Sequence, residues 1–107
     1  MAVGIENSSS LDLVTMSKSG EEVALIMVAA EPWTDEKVIA LQAKTQSYLA
    51  YVESGRLARD YPSSVGKRLK LQLDTTHPLS ELAQRFISMA SVEWCAPVGI
   101  SFVVANA

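Results

Sequence analysis

The stretch that decides the fold is TDEKVIALQAKTQSYLAYVESG, residues 34–55. On a helical wheel with about 100° per residue, its larger side chains fall on one arc. The side chains on this arc are Val38, Leu41, Thr45, Tyr48, Leu49 and Val52. A stripe of this width predicts a helix that covers one face of a sheet. Thr34 is suited to cap the start of the helix, and Gly55 to end it in a left-handed conformation.

Four segments around this helix have the patterns of β-strands. Residues 11–16 alternate weakly, and residues 22–30 are apolar on both faces, which indicates a central or doubly covered strand. Residues 67–75 alternate, with Leu69, Leu71 and Leu73 on one side. The last strand is predicted at 98–105. A second helix is predicted from Pro78, with His77 as its cap, to about Val92.

The element order β-β-α-β-α-β predicts an α+β fold with a mixed four-stranded sheet and both helices on one face. Right-handed crossovers are expected between the parallel strands. We predict the strand order 1-2-4-3, with 1-2-3-4 as the alternative. Residues 1–10 end in a polar run and are predicted to be a flexible N-terminus, and residues 11–107 are predicted to be one domain.

The central helix also carries a resemblance. The run LQAKTQSYLAYVESGRL, followed by Tyr61-Pro62, the basic stretch 67–71 and Pro78, resembles an uncharacterised family of small bacterial α+β proteins. The likeness extends from about Leu11 onward. It supports the fold and implies no activity or functional residue, because the family has no assigned activity.

Composition restricts the class of protein. The chain has 107 residues and a net charge of −3, which disfavours a general nucleic-acid binder. One cysteine and one histidine cannot form a zinc site or an intrachain disulfide. No apolar stretch is long enough to span a membrane, and no signal peptide is recognisable. We therefore expect a cytoplasmic protein without a cofactor or metal.

The residues most often used in catalysis have simpler explanations. His77 precedes Pro78, where a turn or cap residue is expected, and a general base would need a partner that the sequence does not indicate. Cys95 follows the second helix, and its position favours a structural thiol over a nucleophile. Glu31, Asp35 and Glu36 are acidic residues near the start of the first helix, where helix electrostatics account for two of them.

The most distinctive charge feature is a basic segment between residues 56 and 70. It contains five of the nine lysines and arginines in the chain. Together with one aromatic residue they form a candidate anion site: Arg56, Arg59, Tyr61, Lys67, Arg68 and Lys70. The alternative interpretation is a solvated loop and strand that keep an exposed sheet soluble.

The second candidate surface is apolar. If the helices cover one face of the sheet, the other face is predicted to expose Val14, Met16, Ala24, Ile26, Val28 and Val103. Monomers rarely leave a large apolar patch exposed, and twofold homodimers are the commonest assemblies. A rival contact surface is the outer face of the first helix, with Ala43, Ser47, Ala50 and Ser54. Alternatively, sheet twist and the N-terminal ten residues cover the patch.

These observations favour a non-catalytic interaction module that forms a homodimer or binds an unidentified protein. The second hypothesis is a small anion- or nucleotide-binding domain that uses the basic segment. An enzyme with its site in a cleft between loops is the third, and no catalytic constellation in the sequence supports it.

Overall fold

The computed structural model describes residues 13–106, with four strands and three helices in this range. In chain order they are β1 (Leu13–Met16), β2 (Glu22–Ala29), α1 (Asp35–Glu53), α2 (Arg56–Asp60), β3 (Arg68–Thr75), α3 (Glu81–Met89) and β4 (Ile100–Asn106). The predicted α+β fold is confirmed, and α2 is an additional short helix. The predicted flexible residues 1–10 lie outside the described residues.

The strands form one mixed sheet in the order β1-β2-β3-β4. β1 is antiparallel to β2, whereas β2, β3 and β4 are parallel to one another. The prediction 1-2-4-3 is therefore wrong and its alternative is correct. Each crossover leads to the adjacent strand in the same direction, so that right-handed connections place α1 and α3 on the same face.

The core lies between this face of the sheet and the helices. The strands contribute Leu25, Met27, Leu71, Leu73, Ile100 and Phe102. The helices contribute Val38, Leu41, Tyr48, Leu49, Leu57, Ala83, Phe86 and Ala90. The contributions of β3 and α1 follow from the sequence patterns, because leucines alternate along β3 and the apolar arc of α1 faces the sheet. Leu57 was not predicted, because it lies in the additional helix α2.

The ends of α1 are set by local chemistry. The hydroxyl of Thr34 accepts a hydrogen bond from the backbone N–H of Lys37 at 3.2 Å, as expected of an N-cap. Gly55 has a φ of 84°, a left-handed conformation that favours glycine. The chain then starts α2 at once, so that Gly55 separates two helices and does not begin a loop.

The second long helix differs from its prediction at both ends. It begins after Ser80, whose hydroxyl accepts from the backbone N–H of Ala83 at 3.1 Å, and His77 is not its cap. Helical winding also continues past Val92, as a π-helical segment from Ala90 to Cys95 and a 3-10 turn from Ala96 to Val98. Ala90 and Cys95 are both fully buried. The two residues are five positions apart, and a π-helix bonds residue i to residue i+5. The wider winding therefore brings both side chains to the inward side of the helix.

Candidate functional site

The register of β1 against β2 corrects one part of the predicted open face. Val14 is the partner of Leu25 and Met16 is the partner of Val23, and partners across a sheet share a face. Val14 and Met16 therefore lie on the helix-covered side. Thr15, opposite Ala24, lies on the open face instead.

The other four residues predicted for the open face do lie on it, but its centre is not an exposed apolar patch. Ala24 is only 6% exposed and Ile26 only 7%. Their partners on β3 are Lys70 and Gln72, so a polar strand runs through the middle of the face. Val28 is half-buried, and Val103 is the most exposed of the four. The open face by itself therefore offers little apolar surface to a second copy.

Exposed apolar side chains occur elsewhere on the molecule. Of the nine large apolar residues exposed in the described part of the chain, five lie between residues 82 and 104. They are Leu82, Val92, Val98, Val103 and Val104. The three that lie on or just before β4 (Val98, Val103 and Val104) are referred to below as the β4 margin. Val103 belongs to both the open face and the β4 margin. The exposed apolar side chains of the sheet therefore lie towards its β4 edge and not at the centre of the open face.

The rival surface on the outer face of α1 is small and mostly exposed. Ala43, Ala50 and Ser54 are exposed, and Ser47 is half-buried. Alanine on a solvent face also serves simply as a good helix former.

The structure places the residues of the basic segment at one end of the sheet. α1 starts after the C-terminal end of β2 and is about 28 Å long, so it returns to the end where the parallel strands begin. α2, with Arg56 and Arg59, follows it there, and Lys67 and Arg68 open β3 at the same end. Arg56, Arg59, Tyr61, Lys67 and Arg68 are exposed, whereas Lys70 is half-buried.

Most of these cations already have neighbours of opposite charge. Arg59 Nε lies 3.7 Å from Asp60 Oδ1, Arg68 Nη2 lies 3.9 Å from Glu21 Oε2, and Lys70 Nζ lies 3.3 Å from Glu22 Oε1. The guanidinium of Arg56 instead lies 5.4 Å from the ring centroid of Tyr51. The pairs of Arg59 and Arg68 are exposed, and exposed ion pairs contribute little stability, so these two pairs do not prevent an anion from binding.

Tyr51 joins α1 to α2 beside this segment. Its hydroxyl donates to Asp60 Oδ2 at 2.8 Å. Partial burial, the hydrogen bond to Asp60 and the charge of Asp60 together raise the pKa of Tyr51 to about 12. The phenol is thus kept neutral and serves as a hydrogen-bond donor that holds α2 against α1.

At the opposite end of the sheet, a buried threonine links two loops. The indole N–H of Trp33 donates to Thr75 Oγ1 at 3.1 Å. The Thr75 hydroxyl in turn donates to the backbone carbonyl of His77 at 2.8 Å, and the backbone N–H of His77 lies 3.3 Å from the same oxygen. His77 is therefore a turn residue, as predicted. The Trp33–Thr75 contact could not be predicted from sequence, because 42 positions separate the two residues.

Cys95 is fully buried in the π-helical segment, and burial raises the pKa of its thiol. The protonated thiol is a poor nucleophile, which agrees with a structural role.

In the described range 13–106, no group of three or more His, Cys, Asp or Glu side chains is arranged to hold a metal ion. None of the helices in that range has both the length and the apolar character needed to cross a membrane.

Lys44 is an unexpected buried residue. It has no exposed surface, and its ammonium lies 5.7 Å from the ring centroid of Tyr48, one turn along α1. The sequence gives no signal for this burial, because lysines on the flank of an amphipathic helix are normally solvated.

These features define a small α+β domain, with a mixed sheet covered by helices on one face and an apolar margin along one edge. The chain belongs to the family of unknown function DUF6572, whose family model matches residues 3–105. Membership of an uncharacterised family, expected from the central helix, is confirmed. Comparison with curated proteins and with solved structures finds no match.

Proposed function

We propose that this protein is a non-catalytic interaction module that forms a homodimer. The observation that carries the proposal is the concentration of exposed apolar side chains in the part of the chain from α3 to β4. Two of them, Val103 and Val104, are neighbours in β4 and point to opposite faces of the sheet. Exposed apolar side chains on both faces of an edge strand are typical of a contact with another protein.

A second copy is the simplest partner. Twofold homodimers are the commonest assemblies of soluble proteins, and they bring the same surface of both chains together. A homodimer through the β4 margin needs no complementary surface elsewhere on the molecule. The same surface could instead bind a different, unidentified protein.

The oligomeric state tests this proposal directly. Size-exclusion chromatography with light scattering, and sedimentation velocity, should give twice the chain mass in the micromolar range. On dilution, the mass should fall towards that of the single chain. A monomer throughout the concentration series would overturn the proposal.

The second candidate function is a small anion- or nucleotide-binding domain. The observation that favours it is the position of Arg56, Arg59, Lys67 and Arg68 at one end of the sheet, with Tyr61 exposed nearby. Exposed arginines and lysines can bind phosphate groups through charge-assisted hydrogen bonds. The weak ion pairs with Asp60 and Glu21 would be exchanged for bonds to the anion.

Thermal shift measurements test this candidate. Inorganic phosphate, nucleotides and phosphorylated sugars should raise the melting temperature of the wild-type protein. The triple variant Arg59→Gln, Lys67→Gln, Arg68→Gln should lose this shift, whereas Lys18→Gln and Arg85→Gln, which change exposed cations outside the segment, should keep it. The absence of a shift with every anion would rule the candidate out.

A further inference from the structure

We infer that two copies of this chain join through β4, pairing antiparallel edge to edge to form one continuous eight-stranded sheet. This inference rests on the proposed homodimer and names the surface that forms it. It differs from the face-to-face contact predicted from sequence, because the edge of the sheet, and not its open face, makes the contact.

The first argument is the position and composition of β4. It is the outermost strand beside β3, and among the described residues no strand pairs with its other side. Its sequence ISFVVAN contains no charged residue and no proline, and its register with β3 runs from Leu69↔Ile100 to Thr75↔Asn106 without a bulge. Natural proteins usually protect an edge with lysine, proline, a bulge or a very short strand. β4 has none of these devices, so its edge is a template for another strand.

The other described edge strand, β1, is less suited to pairing with a second copy, which supports the choice of β4. Within the described residues β1 runs from Leu13 to Met16, and Lys18 follows it closely. A nearby charge is one of the ways in which an edge avoids pairing. β4, in contrast, carries no charge on any of its seven residues.

The second argument is that β4 is complementary to itself. In an antiparallel pairing centred on Val103, this residue lies opposite Val103 of the second copy, Phe102 opposite Val104, and Ser101 opposite Ala105. Residues opposite each other share a face, and each of these pairs joins positions that lie on the same face of the sheet. No like charges meet, because the strand carries none.

The third argument is the pattern of exposure. Val103 is 37% exposed and Val104 is 38% exposed, whereas Phe102 beside them is buried. Val103 lies on the open face and Val104 on the helix-covered face. The two exposed valines thus lie at the middle of the strand, one on each face, where a paired strand would cover both. In an antiparallel pairing, every second pair of opposite residues exchanges two hydrogen bonds. Seven residue pairs would therefore form roughly six to eight hydrogen bonds.

Charge complementation at Val103 tests the inference. In Val103→Lys and in Val103→Glu, like charges would lie opposite each other at the centre of the interface. We expect each variant alone to dimerise more weakly than wild type by a factor on the order of ten or more. An equimolar mixture should recover the dimer as a heterodimer. Val28→Lys, on the same face but on β2, is the matched control and should dimerise like the wild type.

Two further measurements keep the test independent of the charged variants. Val103→Cys should form a disulfide-linked dimer under mild oxidation, whereas Thr15→Cys, on the same face but in β1, should not. Hydrogen exchange should show that β4 amides are protected in the wild-type dimer and lose part of this protection on dilution.

The outcomes separate the two proposals. A wild-type monomer at all concentrations overturns both of them. A wild-type dimer that persists in both charged variants, with no linkage through residue 103, overturns the β4 pairing and leaves the homodimer in place. Weak dimers of both charged variants without recovery in the mixture would overturn the pairing centred on Val103.

Discussion

Trp33 and Thr75 are joined by a hydrogen bond from the indole N–H to a hydroxyl with no exposed surface. The bond connects the loop that starts α1 with the C-terminal end of β3. Because the Thr75 hydroxyl also donates to the carbonyl of His77, one buried oxygen orders both loops at this end of the sheet.

Thr75→Val should destabilise the fold without changing the volume of the side chain. The substitution removes the acceptor of the Trp33 N–H and the donor to the backbone carbonyl of His77. Each of these two groups then loses a hydrogen bond. We expect a loss of about 1–3 kcal/mol in the free energy of unfolding, measured by urea denaturation. Thr76→Val, at the exposed neighbouring position, is the control and should change stability by less than about 0.5 kcal/mol. Equal stability of the two variants would contradict the role of Thr75.

The Tyr51–Asp60 contact predicts a loss of stability at high pH. The pKa of Tyr51 is about 12 in the folded chain against 10.0 for an unperturbed tyrosine. A group with a raised folded pKa binds its proton more tightly in the native state, so its contribution is complete below pH 10 and is lost as the pH rises towards 12. Ultraviolet titration should show the late ionisation of Tyr51 as the difference between the wild type and Tyr51→Phe. Asp60→Asn should bring the pKa of Tyr51 closer to the ordinary value.

Lys44 should contribute to stability through the packing of its stem. Lys44→Ala removes a fully buried side chain and leaves a cavity, whereas Lys44→Met retains most of the volume. We expect the alanine variant to be less stable than the methionine variant by about 2 kcal/mol or more. Lys18→Ala, on an exposed turn, should have little effect. A methionine variant as unstable as the alanine variant would show that the charge, and not the stem, is what matters.

Cys95 should be unreactive in the native protein. It is fully buried, and burial raises the pKa of its thiol, so both access and thiolate content are low. A thiol reagent should label the native chain slowly and the urea-unfolded chain quickly. Rapid labelling of the native chain would contradict the burial of the π-helical segment.

Local features of the fold could be predicted from the sequence because neighbouring residues determine them. Thr34 caps α1 through the N–H of Lys37, and the φ of 84° at Gly55 needs only glycine. The start of α3 was predicted wrongly because two signals compete there. Pro78 is suited to a first turn, but the hydroxyl of Ser80 reaches the N–H of Ala83 and starts the helix later.

Features that depend on which strands pair, and in which register, could not be predicted from neighbouring residues alone. The face on which Val14 and Met16 lie depends on the register set by the turn between β1 and β2, where Ser17 N–H bonds to the carbonyl of Glu22. The position of β4 was also missed. Its apolar sequence suits an interior strand, whereas the alternating β3, with its polar open side, is the one that lies inside the sheet. This mismatch between composition and position is the reason for proposing a partner strand.

The uniform direction of the crossovers has a consequence for small-molecule binding. In open α/β sheets, ligands usually bind in a crevice at a topological switch point, where connections from adjacent strands leave towards opposite sides. In the described sheet, the connections β2–α1–β3 and β3–α3–β4 advance in one direction, and their helices lie on one side. These strands therefore create no such crevice, so both the proposed dimer contact and the anion-binding candidate depend on the outer surfaces of the domain.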